Sequence, residues 1–173
     1  MSELFSIQLQ NRQQQGRDGI WLDLPTTTEQ VQAALRQIGI SSDNPQGLFI
    51  SGYFAEEEKR FAIPYNMVLA SNVDELNFLA SRLETLSTGE RAELNAALQA
   101  PQSELFSIGR ITDFPENVDY YVHLPDVHGP AQLGDYYLNR SGMVDMPEEW
   151  KGGIDTAQFG RYVAQQEQGA FTQ

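Results

Sequence analysis

The hexapeptide Ser2-Glu3-Leu4-Phe5-Ser6-Ile7 recurs unchanged as Ser103-Glu104-Leu105-Phe106-Ser107-Ile108, and this repeat constrains the fold more than any other feature of the chain. About twenty residues after each copy begins, an aromatic residue and a short apolar run lead into Leu-Pro. The two versions are Trp21-Leu22-Asp23-Leu24-Pro25 and Tyr121-Val122-His123-Leu124-Pro125. Alternating Leu, Phe and Ile suits any half-buried strand. An identical hexapeptide with a second motif in step argues further, for duplication or for convergence on one small module. Each module reads as strand, loop, strand, helix, strand, the last strand of the first copy being Gly47-Leu48-Phe49-Ile50-Ser51-Gly52-Tyr53.

The helix after Pro25 is marked at both ends. Thr26 with Glu29 has the spacing of a capping box. Val31, Leu35 and Ile38 follow at helical spacing, and Gly39 is placed to end the run. From residue 61 to 100 the apolar period is helical throughout. A short helix spans Ile63 to Ala70 with Pro64 in its first turn. A longer one spans Asp74 to Leu86, with Leu76, Leu79, Ala80 and Leu83 on one face and Asp74 and Glu75 in the first turn, where the helix dipole favours them. Ser87-Thr88-Gly89-Glu90 is a second capping box, and Leu94, Ala97 and Leu98 continue that helix until Pro101. Further on, helices are expected near Ala131 to Asn139, opened by Pro130, and Ala157 to Gln166, capped by Thr156. The fold class read from this pattern is α+β: an elongated chain of three small domains, in which sheet-plus-helix modules at 1–60 and 103–173 flank a helical middle at 61–102.

Charge narrows the function. The chain carries 24 Asp and Glu against 11 Lys and Arg, a net charge of -13 over 173 residues. Phosphate contacts and anionic membranes both call for Lys and Arg, so direct binding to nucleic acid or to a membrane surface is not expected. By sequence the three segments carry net charges of -3, -3 and -7, and the acids are dispersed and do not form a tail. Dispersed carboxylates on folded modules make a fixed, patterned surface. Duplex DNA carries one charge per ~1.7 Å of axis, so 24 carboxylates match roughly 41 Å of duplex and the net charge roughly 22 Å. The candidate surface comprises Glu56, Glu57, Glu58, Asp74, Glu75, Asp113, Glu116, Asp119, Asp126, Asp135, Asp145, Glu148, Glu149 and Asp155.

Other chemistry has weaker support. Without cysteine there are no disulfides, thiolate metal sites or thiol nucleophiles. His123 and His128 flank Asp126 but lack helical i, i+4 spacing, have a proline between them, and are the chain's only histidines. Nothing in the sequence places a pocket around Asp119, Asp126 or Asp135 or otherwise marks them for a general-acid role. No nucleophile elbow or Gly-rich phosphate loop is present. Tyr120, Tyr121, Tyr136, Tyr137 and Tyr162 serve a core or an interface equally well. No basic, apolar leader opens the chain and no apolar window approaches membrane-spanning length, so a cytoplasmic protein without cofactor, metal or catalytic residue is expected.

Several segments carry a resemblance. These are Trp21-Leu22-Asp23-Leu24-Pro25, Glu75-Leu76-Asn77-Phe78-Leu79-Ala80-Ser81-Arg82-Leu83, Leu133-Gly134-Asp135-Tyr136-Tyr137 and Ile154-Asp155-Thr156-Ala157-Gln158-Phe159-Gly160-Arg161. In their order and spacing the chain resembles the ArdA family of antirestriction proteins, DNA mimics encoded by plasmids, transposons and phages. The resemblance implies three small domains in a curved protomer and homodimers that imitate bent B-form DNA. It also implies a target, the DNA-binding groove of type I restriction-modification enzymes, formed by their modification and specificity subunits. Family members are often more acidic; here Arg12, Arg17, Lys59 and Arg60 dilute the N-terminal third. The competing reading is an acidic interaction module that regulates another DNA-binding or defence protein.

Overall fold

The computed structural model describes residues 3–14, 18–41, 45–101 and 103–172; Ser2 of the first hexapeptide and Arg17 lie outside them. The chain forms two compact units, one of residues 1–98 with 103–121, the other of residues 99–102 with 122–173.

The first unit is built on a three-stranded antiparallel sheet in the order β2-β1-β3, comprising β1 (Phe5–Asn11), β2 (Ile20–Leu24) and β3 (Leu48–Phe54). The first hexapeptide thus begins the central strand. Period-two alternation is sustained along β1, burying Phe5, Ile7, Leu9 and Asn11 on one face. Leu22, Leu24 and Ile50 join them, each such side chain contributing about 1.5–3 kcal/mol on full burial. Helices α1 (Thr28–Gln37), α2 (Tyr65–Leu69) and α3 (Val73–Glu84) pack against β2 and β3. α3 buries the expected stripe of Leu76, Leu79, Ala80 and Leu83 completely. α4 (Thr88–Gln99) starts at the expected capping box: the Ser87 N–H donates to Glu90 Oε2 at 2.7 Å, and the Glu90 N–H to Ser87 Oγ at 3.3 Å.

The cap of α1 lies one residue later than expected. Thr27, not Thr26, is the N-cap, and Gln30 completes the box in place of Glu29. The reason is the engagement of Thr26 elsewhere: its N–H donates to Asn77 Oδ1 at 2.7 Å, and Asn77 Nδ2 donates to its carbonyl at 3.0 Å. One side-chain amide on α3 therefore pairs with both backbone groups of Thr26 and sets where α1 begins. Asn95 accepts the Ala62 N–H at 2.8 Å, and buried Asn11 donates to the Ile38 carbonyl at 2.9 Å. Gly39, with φ of +71°, ends α1 as expected. Pro64 precedes α2 as its N-cap and is not within its first turn.

The second hexapeptide does not form a strand. Ser107 caps α5 (Ile108–Thr112), its Oγ accepting the Arg110 N–H at 3.3 Å. The residues that follow decide between the two outcomes. After Ile7 the alternation continues through Leu9 and Asn11, whereas after Ile108 the next buried positions are Ile111, Thr112 and Phe114, at helical spacing. Phe106, the counterpart of buried Phe5, is 67% exposed. α5 and α6 (Phe114–Asn117) belong to the first unit, where α5 packs on α3 and Arg82 on α3 reaches Glu116 at 2.7 Å. Residues 121–125 are not a strand either: the Tyr121 ring packs on Phe114 at 5.1 Å, and Val122 is 81% exposed. The fold class α+β holds, but the sheet expected in the C-terminal third is absent among the described residues.

The second unit is helical, with α7 (Pro130–Asn139), α8 (Glu148–Lys151) and α9 (Thr156–Gln166). Pro130 opens α7 as expected, whereas Asp155 and not Thr156 caps α9 by accepting the Gln158 N–H at 2.9 Å. α7 and α9 cross glycine to glycine. A Cβ on Gly134 would stand 1.9 Å from the Thr156 carbonyl oxygen, and one on Gly160 would stand 1.7 Å from that of Pro130.

Two stability changes follow from this packing. Either Gly134→Ala or Gly160→Ala forces the two helices apart and should cost about 3 kcal/mol or more, read as loss of protected amides in residues 130–166 by hydrogen exchange. Unchanged protection would show that the helices do not cross this closely. In the first unit, the Tyr53 hydroxyl is buried without a hydrogen-bond partner among the described residues, and burial pushes its pKa up while Arg60 pulls it down. Because an unmet buried polar group costs about 1–3 kcal/mol, Tyr53→Phe should raise the urea midpoint by the equivalent of about 1 kcal/mol. A lower midpoint would mean that the hydroxyl is satisfied.

Candidate acidic interaction surface

In the first unit, Glu56, Glu57 and Glu58 occupy the exposed turn that leaves β3. Glu56 binds Lys59 at 2.9 Å, and that hydrogen bond raises the lysine pKa. Asp74 and Glu75 stand in the first turn of α3, where the N-cap Asn72 accepts the Glu75 N–H at 2.9 Å. Asp113, Glu116 and Asp119 lie exposed along the short helical segment from the end of α5 to the turn at 118–120. In the second unit, Asp126 sits in the turn after Pro125, and Asp135 on α7 accepts from Asn139 at 2.8 Å and pairs with Arg140 at 3.4 Å. Asp145 precedes α8, Glu148 and Glu149 form its first turn, and Asp155 caps α9. Glu148 pairs with Lys151 at 2.5 Å.

Of these fourteen carboxylates, Glu75 and Asp135 are half-buried and the rest are exposed. Among the described residues no Asp or Glu is buried. Grouping by structure also changes the charge map read from sequence. The acidic stretch 103–121 belongs to the first unit, which carries 17 acids and 8 bases, against 7 and 3 in the second. The net charges are -9 and -4 on units of 117 and 56 residues, so the charge is spread almost evenly.

The carboxylates with displaced pKa values belong to helix starts. Glu90 is held below the usual range by the Ser87 side chain and backbone. Glu29 is held down by its own backbone N–H and by Thr27. Both shifts favour the ionised form, opposite to what a general acid needs. A depression of about 370 Å³ beside β3 is lined by Tyr53, Arg60, Phe61 and Tyr65 among others, with no Asp, Glu or His. His128 is exposed and His123 half-buried, and among the described residues no three acidic or histidine side chains converge on a metal position. No helix of the described residues is long and apolar enough to cross a membrane.

The five tyrosines divide. Tyr120 and Tyr162 are 85% and 60% exposed. Tyr121 packs on Phe114, while Tyr136 and Tyr137 meet edge to face with Arg140 over Tyr136. Burial raises the pKa of Tyr121 and of Tyr137, and Glu104 and Glu167 respectively add to the effect. Trp21 and Phe78, read from sequence only as parts of motifs, and Trp150, not read there at all, are exposed. Each sits one to four residues from a carboxylate, and that interleaving was the available signal.

No curated protein matches the chain. The family described as antirestriction protein (ArdA) matches residues 15–173, from just after β1 to the end. The Asn77 clasp, the α7–α9 glycine crossing and the Asp155 cap all fall within that match. The chain belongs to the ArdA family of antirestriction proteins.

Proposed function

We propose that this chain is a stoichiometric mimic of duplex DNA that inhibits type I restriction-modification enzymes by occupying their DNA-binding groove. The observation that carries the reading is the placement of charge: no described carboxylate is buried, and the net charge is spread evenly over both units. A basic groove built for phosphates meets fixed negative charge along its length and releases counterions as it would on DNA. Family membership supports the antirestriction role. The target subunits, modification and specificity, are part of the proposal, as is a homodimer. So is a functional division into modules at 1–60, 61–102 and 103–173, with the partner-facing acids drawn from the fourteen carboxylates above. In this reading the protein works in the cytoplasm, catalyses no reaction, and uses neither metal nor cofactor.

Two outcomes test it. Complex formation with a type I modification enzyme should be competed by duplex DNA and should weaken by at least about tenfold between 50 and 200 mM salt. Binding indifferent to both would refute the mimicry. Neutralising Asp145→Asn, Glu148→Gln and Glu149→Gln together should weaken inhibition by about tenfold, with the helical circular dichroism unchanged. Neutral replacements are preferred to lysines because cations in the first turn of α8 would oppose its dipole. Full inhibition by the triple variant would remove this surface from the contact.

A further inference from the structure

The helices of the first unit cover one face of its sheet, and the opposite face pairs an indole with a carboxylate. Trp21 and Asp23, two apart on the edge strand β2, both point outward, opposite Gln8 and Ser6 of β1. Gly52 and Phe54 of β3 continue the two rows. Ser6 Oγ donates to Asp23 Oδ1 at 2.6 Å and so holds the carboxylate in place. A Cβ on Gly52 would stand 3.0 Å from Trp21 Cη2, so the missing side chain is what lets the indole lie across the sheet. Trp21 nevertheless stays 49% exposed, and Phe54 55%.

The same unit shows what its aromatic rings accept. Arg12 stands over Phe49 at 5.2 Å, Arg91 over Phe61 at 4.6 Å and Arg110 over Phe106 at 4.4 Å. Among the described residues no cation stands over Trp21, although indole is the strongest ring for this contact. Net charge of -13 selects a cationic partner. Arginine fits better than lysine, since a planar, weakly hydrated guanidinium can stack on an indole and present its N–H fork to a carboxylate together. We propose that Trp21 and Asp23 form a docking site for an arginine side chain of the basic partner. The inference rests on the DNA-mimic reading and adds to it a contact that phosphate mimicry does not supply: a short-range stack that salt does not screen.

The test uses the full chain and a type I modification enzyme, with affinity measured across a salt series. Trp21→Leu, which keeps apolar area but removes the aromatic face, should bind about tenfold more weakly with an unchanged salt slope, and Trp21→Phe should recover most of the loss. Asp23→Asn, which keeps an acceptor for Ser6, should weaken binding and flatten the slope. Because a β2 substitution can also disturb folding, Trp150→Phe provides a second measurement by leaving Trp21 as the only tryptophan of the two. Its emission should change on complex formation. Unchanged emission, or full affinity of Trp21→Leu, overturns this inference and leaves the functional reading standing. Failure of the unaltered chain to bind overturns both.

Discussion

An ionised carboxylate cannot be left in an apolar interior without a partner, and this chain has 24 of them in 173 residues. Every described one accordingly lies wholly or partly in water, and the rest of the architecture follows from that requirement. The surface carries the charge, the apolar side chains are gathered inside, and connections between elements are held by devices that need no buried charge. Neutral amides do much of this: Asn77 clasps Thr26, Asn95 holds Ala62, and Asn11 closes on the end of α1. In the second unit the device is a direct crossing of backbones at Gly134 and Gly160. Neither device adds charge, so the core and the surface are built from separate residues.

What sequence discloses here depends on whether a signal is local. Helix stripes are local, and α3, α4, α7 and α9 lie where the apolar period places them, α9 being capped one residue earlier than expected because Asp155 takes that role. Strand formation is not local, because a strand needs a neighbour. Leu4-Phe5-Ser6-Ile7 has β2 and β3 on either side, whereas Leu105-Phe106-Ser107-Ile108 has no strand beside it among the described residues and yields to the helical spacing of Ile108 and Ile111. Identical hexapeptides thus end in different structures, and the missing second sheet is the consequence. The displaced α1 cap has a similar origin, since the residue that moves it, Asn77, lies 51 positions away.

The acidic surface was legible in kind and not in arrangement. Carboxylate exposure follows from charge alone, so the candidate acids lie at the surface as their chemistry requires. Their grouping does not follow: the acids of 103–121 travel with the first unit because Ile108, Ile111 and Phe114 are buried there, and this levels a charge that by sequence is heaviest at the C-terminal end. The segments that carried the family resemblance have a different emphasis. Asn77, Gly134 and Gly160 serve architecture, and Asp155 serves a helix start, so those motifs report the scaffold more than the contact surface.

Some carboxylates do both. Glu29 and Glu90 lie in first turns, where helix-start N–H groups and the dipole favour the ionised form, and each adds a negative charge to the outside. Their pKa values are lowered in the folded chain from an ordinary 4.5. A lowered folded pKa means that the stabilisation is fully present above the unfolded value and is lost as pH falls through the folded one. Acidification through that window therefore removes cap stabilisation and surface charge together.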